Sequence, residues 1–369
     1  MNYQEIRRKT NAVRVGDVRI GGDAPIAIQS MTNTSPYDAE ATAAQILRLQ
    51  EAGCDIVRVT VPDTEAAENI PALRARGVRI PIVADIHFDY RVALRCAELG
   101  VDKIRINPGN IGDDDRVRQV ADACRTRNIP IRIGVNSGSL EKHLLAKYGA
   151  PTAEALCDSA LYHSALLEKF NFEDIVISIK ASTVETMIAA NRLLASRCAY
   201  PLHLGVTEAG GGDIAMVKSA IGIGSLLCDG LGDTLRVSLT DDPVEEIAAA
   251  RRILDSLHIE GQSGMDIVSC PTCGRTRIDL IALSARFKEA VRAEGLDRLP
   301  IKVALMGCIV NGPGEAREAD VGIAGGRGEG LLFRCGEIIE KLPESELIPR
   351  LLCEIRAIRD TKKTETKEN

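Results

Sequence analysis

Cys270-Pro271-Thr272-Cys273 places two thiols three residues apart, and a third, Cys308, follows in Met306-Gly307-Cys308-Ile309-Val310-Asn311-Gly312-Pro313-Gly314-Glu315. Two thiolates on one tight turn grip a tetrahedral metal ion or two corners of an iron–sulfur cube, and the knuckle alone does not choose between zinc and iron. Zinc ribbons normally bring a second C-x2-C; here there is none, so a four-thiolate zinc site would have to recruit Cys335 or Cys353. The alternative is a cube with three thiolates and one other ligand, for which Glu315 stands seven residues past Cys308 on a Gly-Pro-Gly turn. A carboxylate is a harder, weaker ligand than a thiolate and can leave an iron open to substrate oxygen. Cys54, Cys96, Cys124, Cys157, Cys198, Cys228 and Cys353 are scattered singly, and packed core thiols are expected there.

A second set of chemical groups recurs at period two. In Ile104-Arg105-Ile106-Asn107 the isoleucines share one face and the polar residues the other. The same split occurs at Ile131-Arg132-Ile133 with Asn136 beyond, at Ile177-Ser178-Ile179-Lys180, and at Leu235-Arg236-Val237-Ser238. Val57 and Val59 oppose Arg58 and Thr60, Ile28 opposes Gln29, and Asp85 shares a face with His87.

The elements that carry these residues are short β-branched runs at 25–31, 55–61, 81–87, 103–107, 130–136, 174–180, 201–208 and 233–239, alternating with helical periodicity such as Ala39–Ala52 and Val244–Leu257. Eight βα units over about 230 residues predict a (β/α)8 TIM barrel rather than an open doubly wound sheet. An N-terminal hairpin is expected at Val13–Ile20, and an extra helix or lid between Ser137 and Glu173. The rhythm stops near 258–264, giving a barrel domain over 1–260 and a small α+β domain over 261–360, with a frayed polar tail at 361–369.

In a barrel the apolar faces meet the helices, so Arg58, Arg105, Arg132, Lys180 and Arg236 point into the lumen near the carboxyl ends of their strands, where barrel active sites sit. Asp85 and Glu208 are the only carboxylates counted against them, an inward excess of about three positive charges. Glu208 is out of register with His203 and Thr207, so its inward placement requires the strand to end or bulge there; otherwise it is a helix N-terminal carboxylate. An unpaired buried charge costs several kcal/mol. The lumen should therefore bind a multiply charged anion such as a diphosphate, whose oxygens suit guanidinium geometry. His203 and His87 are acid/base candidates or rim hydrogen-bonding residues.

Composition excludes other classes. The chain has 369 residues, 45% of them apolar and 27% charged, with net charge −6. That acidity, with 3% aromatics and no Trp, argues against nucleic acid or anionic membrane as partner. No apolar run approaches the ~18 residues of a membrane helix. Eleven cysteines behind an N-terminus without an export signal point to the reducing cytoplasm.

SCPTCGRT and LMGCIVNGPGEA, behind a barrel carrying QSMTNT, VADIHFDYRVAL, KIRINPGNIG, IRIGVNSGSL and LHLGVTEAG, resemble the bacterial 4-hydroxy-3-methylbut-2-enyl diphosphate synthases in their two-domain form, over residues 5–358. The resemblance implies a TIM barrel followed by a small α+β iron–sulfur domain. It implies one 4Fe–4S cluster on Cys270, Cys273, Cys308 and Glu315, which leaves Cys335 a core or surface thiol. Diphosphate binding would fall on Arg105, Arg132, Lys180, Arg236 and Ser238, assisted by Asn136 and Arg58, and proton delivery on Glu208. The implied reaction is reductive ring opening and dehydration of 2-C-methyl-D-erythritol 2,4-cyclodiphosphate, with flavodoxin or ferredoxin as electron donor. The family works as a head-to-tail homodimer; a monomer hinging at Gly261–Gly264 is the alternative. The rival readings are a pterin- or phosphate-binding barrel of the dihydropteroate synthase type with a zinc-stabilised appendage, and a zinc-ribbon interaction module on a scaffold barrel.

Overall fold

The structure, a computed structural model, describes residues 3–181, 183–259, 264–309 and 317–368 and divides the chain into two units, Met1–Ile259 and Glu260–Asn369. Glu315 and residues 261–263 of the expected hinge lie outside the described residues.

The first unit opens with an antiparallel hairpin of β1 (Val13–Val15) and β2 (Val18–Ile20). Eight parallel strands follow: β3 (Ala27–Met31), β4 (Ile56–Thr60), β5 (Ile82–Asp85), β6 (Lys103–Arg105), β7 (Ile131–Asn136), β8 (Ile175–Lys180), β9 (His203–Leu204) and β10 (Thr234–Leu235). Their order is β8-β7-β6-β5-β4-β3-β10-β9, and a parallel bridge from Ile177 to Leu202 joins β8 to β9, so the sheet curls into a barrel.

Alternation divides the strands as the sequence predicts. Val57, Val59, Ile104, Ile131, Ile133, Ile177, Ile179, Leu204 and Leu235 belong to the core between strands and helices. The opposite faces turn inward. At the amino end of the barrel the hairpin residues Val15 and Ile20 cluster with Ala27, Ile56 and Val83, so the floor of the lumen is an apolar plug.

Register is pinned by aspartates that immediately precede strands. Asp55, Asp102 and Asp233 accept backbone N–H bonds from Ile28, Ile82 and Leu202 of the neighbouring strand or its approach, at 2.7, 2.7 and 2.8 Å. Asp233 also pairs with Arg7 at 2.9 Å and accepts from Thr10 Oγ1 at 3.1 Å, tying the N-terminal segment across the base. The segment after β7 carries the expected additional helix, Lys142–Tyr148, before the crossover helix Ala153–Glu168.

In the second unit β11 (Asp266–Ser269), β12 (Lys302–Met306) and β13 (Val321–Gly325) run parallel, and β14 (Glu329–Arg334) and β15 (Glu337–Pro343) continue the sheet antiparallel. Helices Leu280–Ala293 and Leu347–Glu368 cover it through Leu283, Phe287, Leu351 and Ile355. β15 carries no clear strand signal in the sequence. Its residues Glu337-Ile338-Ile339-Glu340-Lys341 are edge residues with both isoleucines exposed, so no buried face marks the strand. The last helix runs on to Glu368 where a frayed tail over 361–369 is expected, because nothing in Asp360–Glu368 is a Gly or Pro stop signal.

Cys54, Cys96, Cys124 and Cys157 are buried as expected and Cys198 is half-buried, but Cys228 and Cys353 are exposed. Cys228 ends its helix, and Cys353 lies off the stripe formed by Leu351, Leu352, Ile355 and Ile358. Among the described residues no helix is long and apolar enough to cross a membrane.

Removing one partner of the buried Arg7–Asp233 pair strands the other. Asp233→Ala should cost about 3–5 kcal/mol, read as a lowered urea midpoint at an unchanged m value.

Candidate functional site

The lumen is built by the inward faces. β4 contributes Arg58, β5 Asp85, β6 Lys103 and Arg105, β7 Arg132 and Asn136, and β8 Lys180. His203 stands on β9, and Arg236 follows β10 directly, with Ser238 two residues beyond. Register places Asp85 beside Arg105, Arg105 beside Arg132, and Asn136 beside Lys180, so these groups ring the lumen at neighbouring levels.

One carboxylate serves two guanidiniums: Asp85 lies 3.2 Å from Arg105 Nη1 and 3.6 Å from Arg58 Nε. Burial pushes the Asp85 carboxyl up, but Arg58, Arg105 and Arg132 outweigh it and hold the pKa below the usual value. Burial lowers Arg58 to about 10 against the pull of Asp85. Arg58 also donates to Met31 Sδ at 2.8 and 3.0 Å, a soft acceptor for a guanidinium that shares its carboxylate. Arg105 Nη2 donates to the Gly134 carbonyl at 2.8 Å. Glycine is required at 134, since a Cβ would lie 2.5 Å from Arg105 Nε. At Gly205 a Cβ would meet Lys180 Nζ at 2.8 Å, so this inward glycine likewise makes room for a cation.

Arg132 and Lys180 are differently placed. Both are buried, and burial, then their cationic neighbours, push both pKa values well below the ordinary range. Arg132 Nε and Nη1 have no hydrogen-bond partner among the described residues.

The five expected cations therefore share one lumen, and three features depart from expectation. Arg236 is not free: it makes a two-pronged pair with Glu246, at 2.9 and 3.0 Å, from the first turn of helix Pro243–Ser256. Glu208 is exposed rather than buried among the cations. β9 ends at Leu204, and Glu208 sits exposed in a left-handed turn (φ +54°) past the carboxyl end of that strand. His87 is exposed, whereas His203 is fully buried and kept neutral by burial and by Arg132, Lys180, Lys103 and Arg58. Lys103 is a sixth basic group of the lumen beyond the five expected, two residues before Arg105 and on the same face. Glu246 is likewise unexpected, because its role depends on a helix start folding back over β10.

The loops after β6 and β7 are latched by His163, which is fully buried. Gly109 N–H donates to His163 Nδ1 at 3.1 Å, so the ring proton is on Nε2, which donates to Glu141 at 2.6 Å. Burial pushes Glu141 up, but the hydrogen bond from His163 wins and its pKa falls to about 2.

In the second unit Cys270 and Cys273 follow β11, and Cys308 follows β12, its parallel neighbour, so the three thiols leave the same end of the sheet. Gly307 N–H donates to Cys270 Sγ at 3.2 Å, and Arg277 N–H to the Gly307 carbonyl at 2.9 Å, which knits the two loops together. Among the described residues no three His, Cys, Asp or Glu side chains already form a cage for one metal ion. Three soft sulfur donors on adjacent strand ends, one accepting a backbone N–H, fit an iron–sulfur cluster.

Cys335 cannot join them. With Gly336 it forms a two-residue hairpin turn, both at positive φ, between β14 and β15. Its N–H bonds Asp320, which bonds the start of β12 at Lys302. Cys308 lies beyond the other end of β12, at least ~13 Å of strand away. Cys353 lies on the helix Leu347–Glu368.

Residues 10–251 match the GcpE TIM-barrel domain and residues 266–357 the GcpE protein C-terminal domain. The chain is 56% identical over 346 residues to a Fusobacterium nucleatum protein named 4-hydroxy-3-methylbut-2-en-1-yl diphosphate synthase (flavodoxin), covering 94% of this chain and 96% of that one. It is 56% identical to the Clostridium perfringens protein of that name, covering 95% and 99%, and 55% identical to that of Geobacter sulfurreducens, covering 96% and 99%.

Because the Asp85 pKa is lowered on folding, its stabilising contribution is complete above the unfolded value of ~3.9 and is lost as pH falls through the folded one. Asp85→Asn should therefore destabilise the protein at neutral pH and flatten the acid limb of its pH–stability curve, measured by thermal denaturation from neutral pH downward.

Proposed function

This chain belongs to the GcpE family, and we propose that it converts 2-C-methyl-D-erythritol 2,4-cyclodiphosphate to (E)-4-hydroxy-3-methylbut-2-enyl diphosphate, a step of non-mevalonate isoprenoid biosynthesis. The carrying observation is likeness to synthases of that name over nearly the whole chain, joined to a lumen whose charge calls for a polyanion. The same full-length likeness weighs against a dihydropteroate synthase-type barrel with a zinc appendage, which gives no use for the second domain's chemistry.

The diphosphate binds among Arg58, Arg105, Arg132, Asn136, Lys180, Arg236 and Ser238. Lys180 and Arg132 supply most of the pull, since Arg58 and Arg105 share Asp85 and Arg236 is paired to Glu246. Held by several cations, the anion is fixed in orientation as well as neutralised, and that removes much of the entropic cost of placing the reacting carbons. Cys270, Cys273, Cys308 and Glu315 would hold one 4Fe–4S cluster, which supplies single electrons and a Lewis-acidic iron when bound. Two electrons from a flavodoxin open the ring at carbon, and the leaving hydroxyl departs as water. Glu208 delivers that hydroxyl's proton; its exposed rim position gives it access to solvent for reprotonation. A homodimer, in which one subunit's cluster domain serves its partner's barrel, would bring both sets of groups to one substrate. The free thiols and an oxygen-sensitive cluster suit the reducing cytoplasm.

Protein purified without oxygen should be brown and contain iron. Glu315→Ala should lose iron and visible absorption, whereas Cys335→Ala should keep both; the reverse order would assign the fourth corner to sulfur. Lys180→Met should raise KM by about 30-fold or more, for the ~2 kcal/mol or more that a buried charge contributes, with cluster absorption unchanged. A colourless, zinc-loaded protein would end this reading.

A further inference from the structure

Lys103 begins β6, two residues below Arg105 on the same inward face, and its side chain is wholly buried. Its Nζ has no hydrogen-bond partner among the described residues. The charges around it come from every other part of the ring: Arg58 from β4, Asp85 from β5, Arg105 from its own strand, Arg132 from β7, Lys180 from β8, His203 from β9, and Arg236 with Glu246 at β10. Neither lumenal carboxylate is available to it. Asp85 is taken by Arg58 and Arg105, and Glu246 by Arg236.

We propose that Lys103 is a positioning residue beneath the anion site, an amine that stands neutral in the free enzyme and takes a proton when a diphosphate enters the lumen. Diphosphate binding is thereby coupled to proton uptake. The inference rests on the reading of the lumen as the substrate site.

The physical reason is the cost of an ammonium with neither water nor a partner, which a buried amine avoids by giving up its proton. Burial is the larger cause here, and Arg132 and Arg58 add to it, so the Lys103 pKa lies well below the ordinary lysine value. An incoming anion screens those two guanidiniums from the amine and offers it a counter-charge, and by linkage the affinity for anion and for proton rise together. Lys180 is the other lumenal lysine, and burial lowers its pKa too, but it retains 8% exposure where Lys103 has none. His203 is the remaining group able to take up a proton. Its Nδ1 is engaged by Thr234 Oγ1 at 3.4 Å, and three other lumenal cations besides Lys103 oppose its charging.

The test is calorimetric titration of the anaerobic holoenzyme with the cyclic diphosphate, in two neutral buffers of different ionisation enthalpy. Each phosphoryl group of this ligand carries one strongly acidic oxygen and nothing that titrates near neutrality, so any proton exchanged belongs to the protein. Wild type should take up a proton fraction approaching one per site. Lys103→Met, which replaces the amine with an apolar chain of similar length, should bind the diphosphate with that uptake abolished, and His203→Asn should retain it. Uptake that survives in Lys103→Met, or binding to wild type without uptake, overturns the inference while leaving the functional reading intact. No binding of the cyclic diphosphate to the holoenzyme overturns the functional reading, and this inference with it.

Discussion

Five cations and the buried Lys103 amine face one lumen against two carboxylates, in a chain whose net charge is −6. That imbalance governs much of the barrel's construction. Barrel interiors are ordinarily filled by branched aliphatic side chains, and here only the floor is, where Val15 and Ile20 of the N-terminal hairpin meet Ala27, Ile56 and Val83. Above that plug several of the cations are accommodated by specific devices. Asp85 is shared between two guanidiniums, a methionine sulfur accepts from Arg58, and glycines at 134 and 205 leave volume for Arg105 and Lys180. Arg236 is held from outside the ring of strands, by a glutamate in the first turn of the helix that follows. What these devices leave uncompensated, on Arg132 and Lys180, is what a bound polyanion compensates. Buried charge that costs stability in the free protein becomes affinity in the complex.

The positions of these charges depend on register, and register depends on the aspartates that open strands. A one-residue slip would turn every inward cation to the helix layer and every isoleucine to the lumen. Asp55, Asp102 and Asp233 oppose such a slip by binding a specific N–H next door. The second unit repeats the device, with Asp320 accepting from Lys302 N–H at 2.7 Å. There the consequence is chemical: register between β11 and β12 brings Cys270 and Cys308 to one end, and register between β13 and β14 puts Cys335 at the other.

The loops that frame the lumen are fixed by a different means. His163 accepts from Gly109 and donates to Glu141, so one buried imidazole spans the loops after β6 and β7. The glycine at 109 is there for space, since a Cβ would lie 2.8 Å from the imidazole. Arg105 and Asn136 are carried into those loops by strands whose exits are thereby held.

The amino-acid sequence determined the eight-unit barrel, the hairpin, the α+β class of the second unit, five inward cations and the cysteine motif. It could do so because those features are periodic or local: side chains alternate along a strand whatever it packs against, and a C-x2-C turn is a turn anywhere. Lys103 obeys the same alternation, two residues before Arg105. Tertiary structure alone decided the rest. Glu246 reaches Arg236 because a helix start folds over a strand end, Glu208 is exposed in a left-handed turn beyond the two-residue β9, and His163 meets Gly109 across 54 residues of chain. Those pairings depend on where separate elements arrive in space, and no spacing within a single element encodes that.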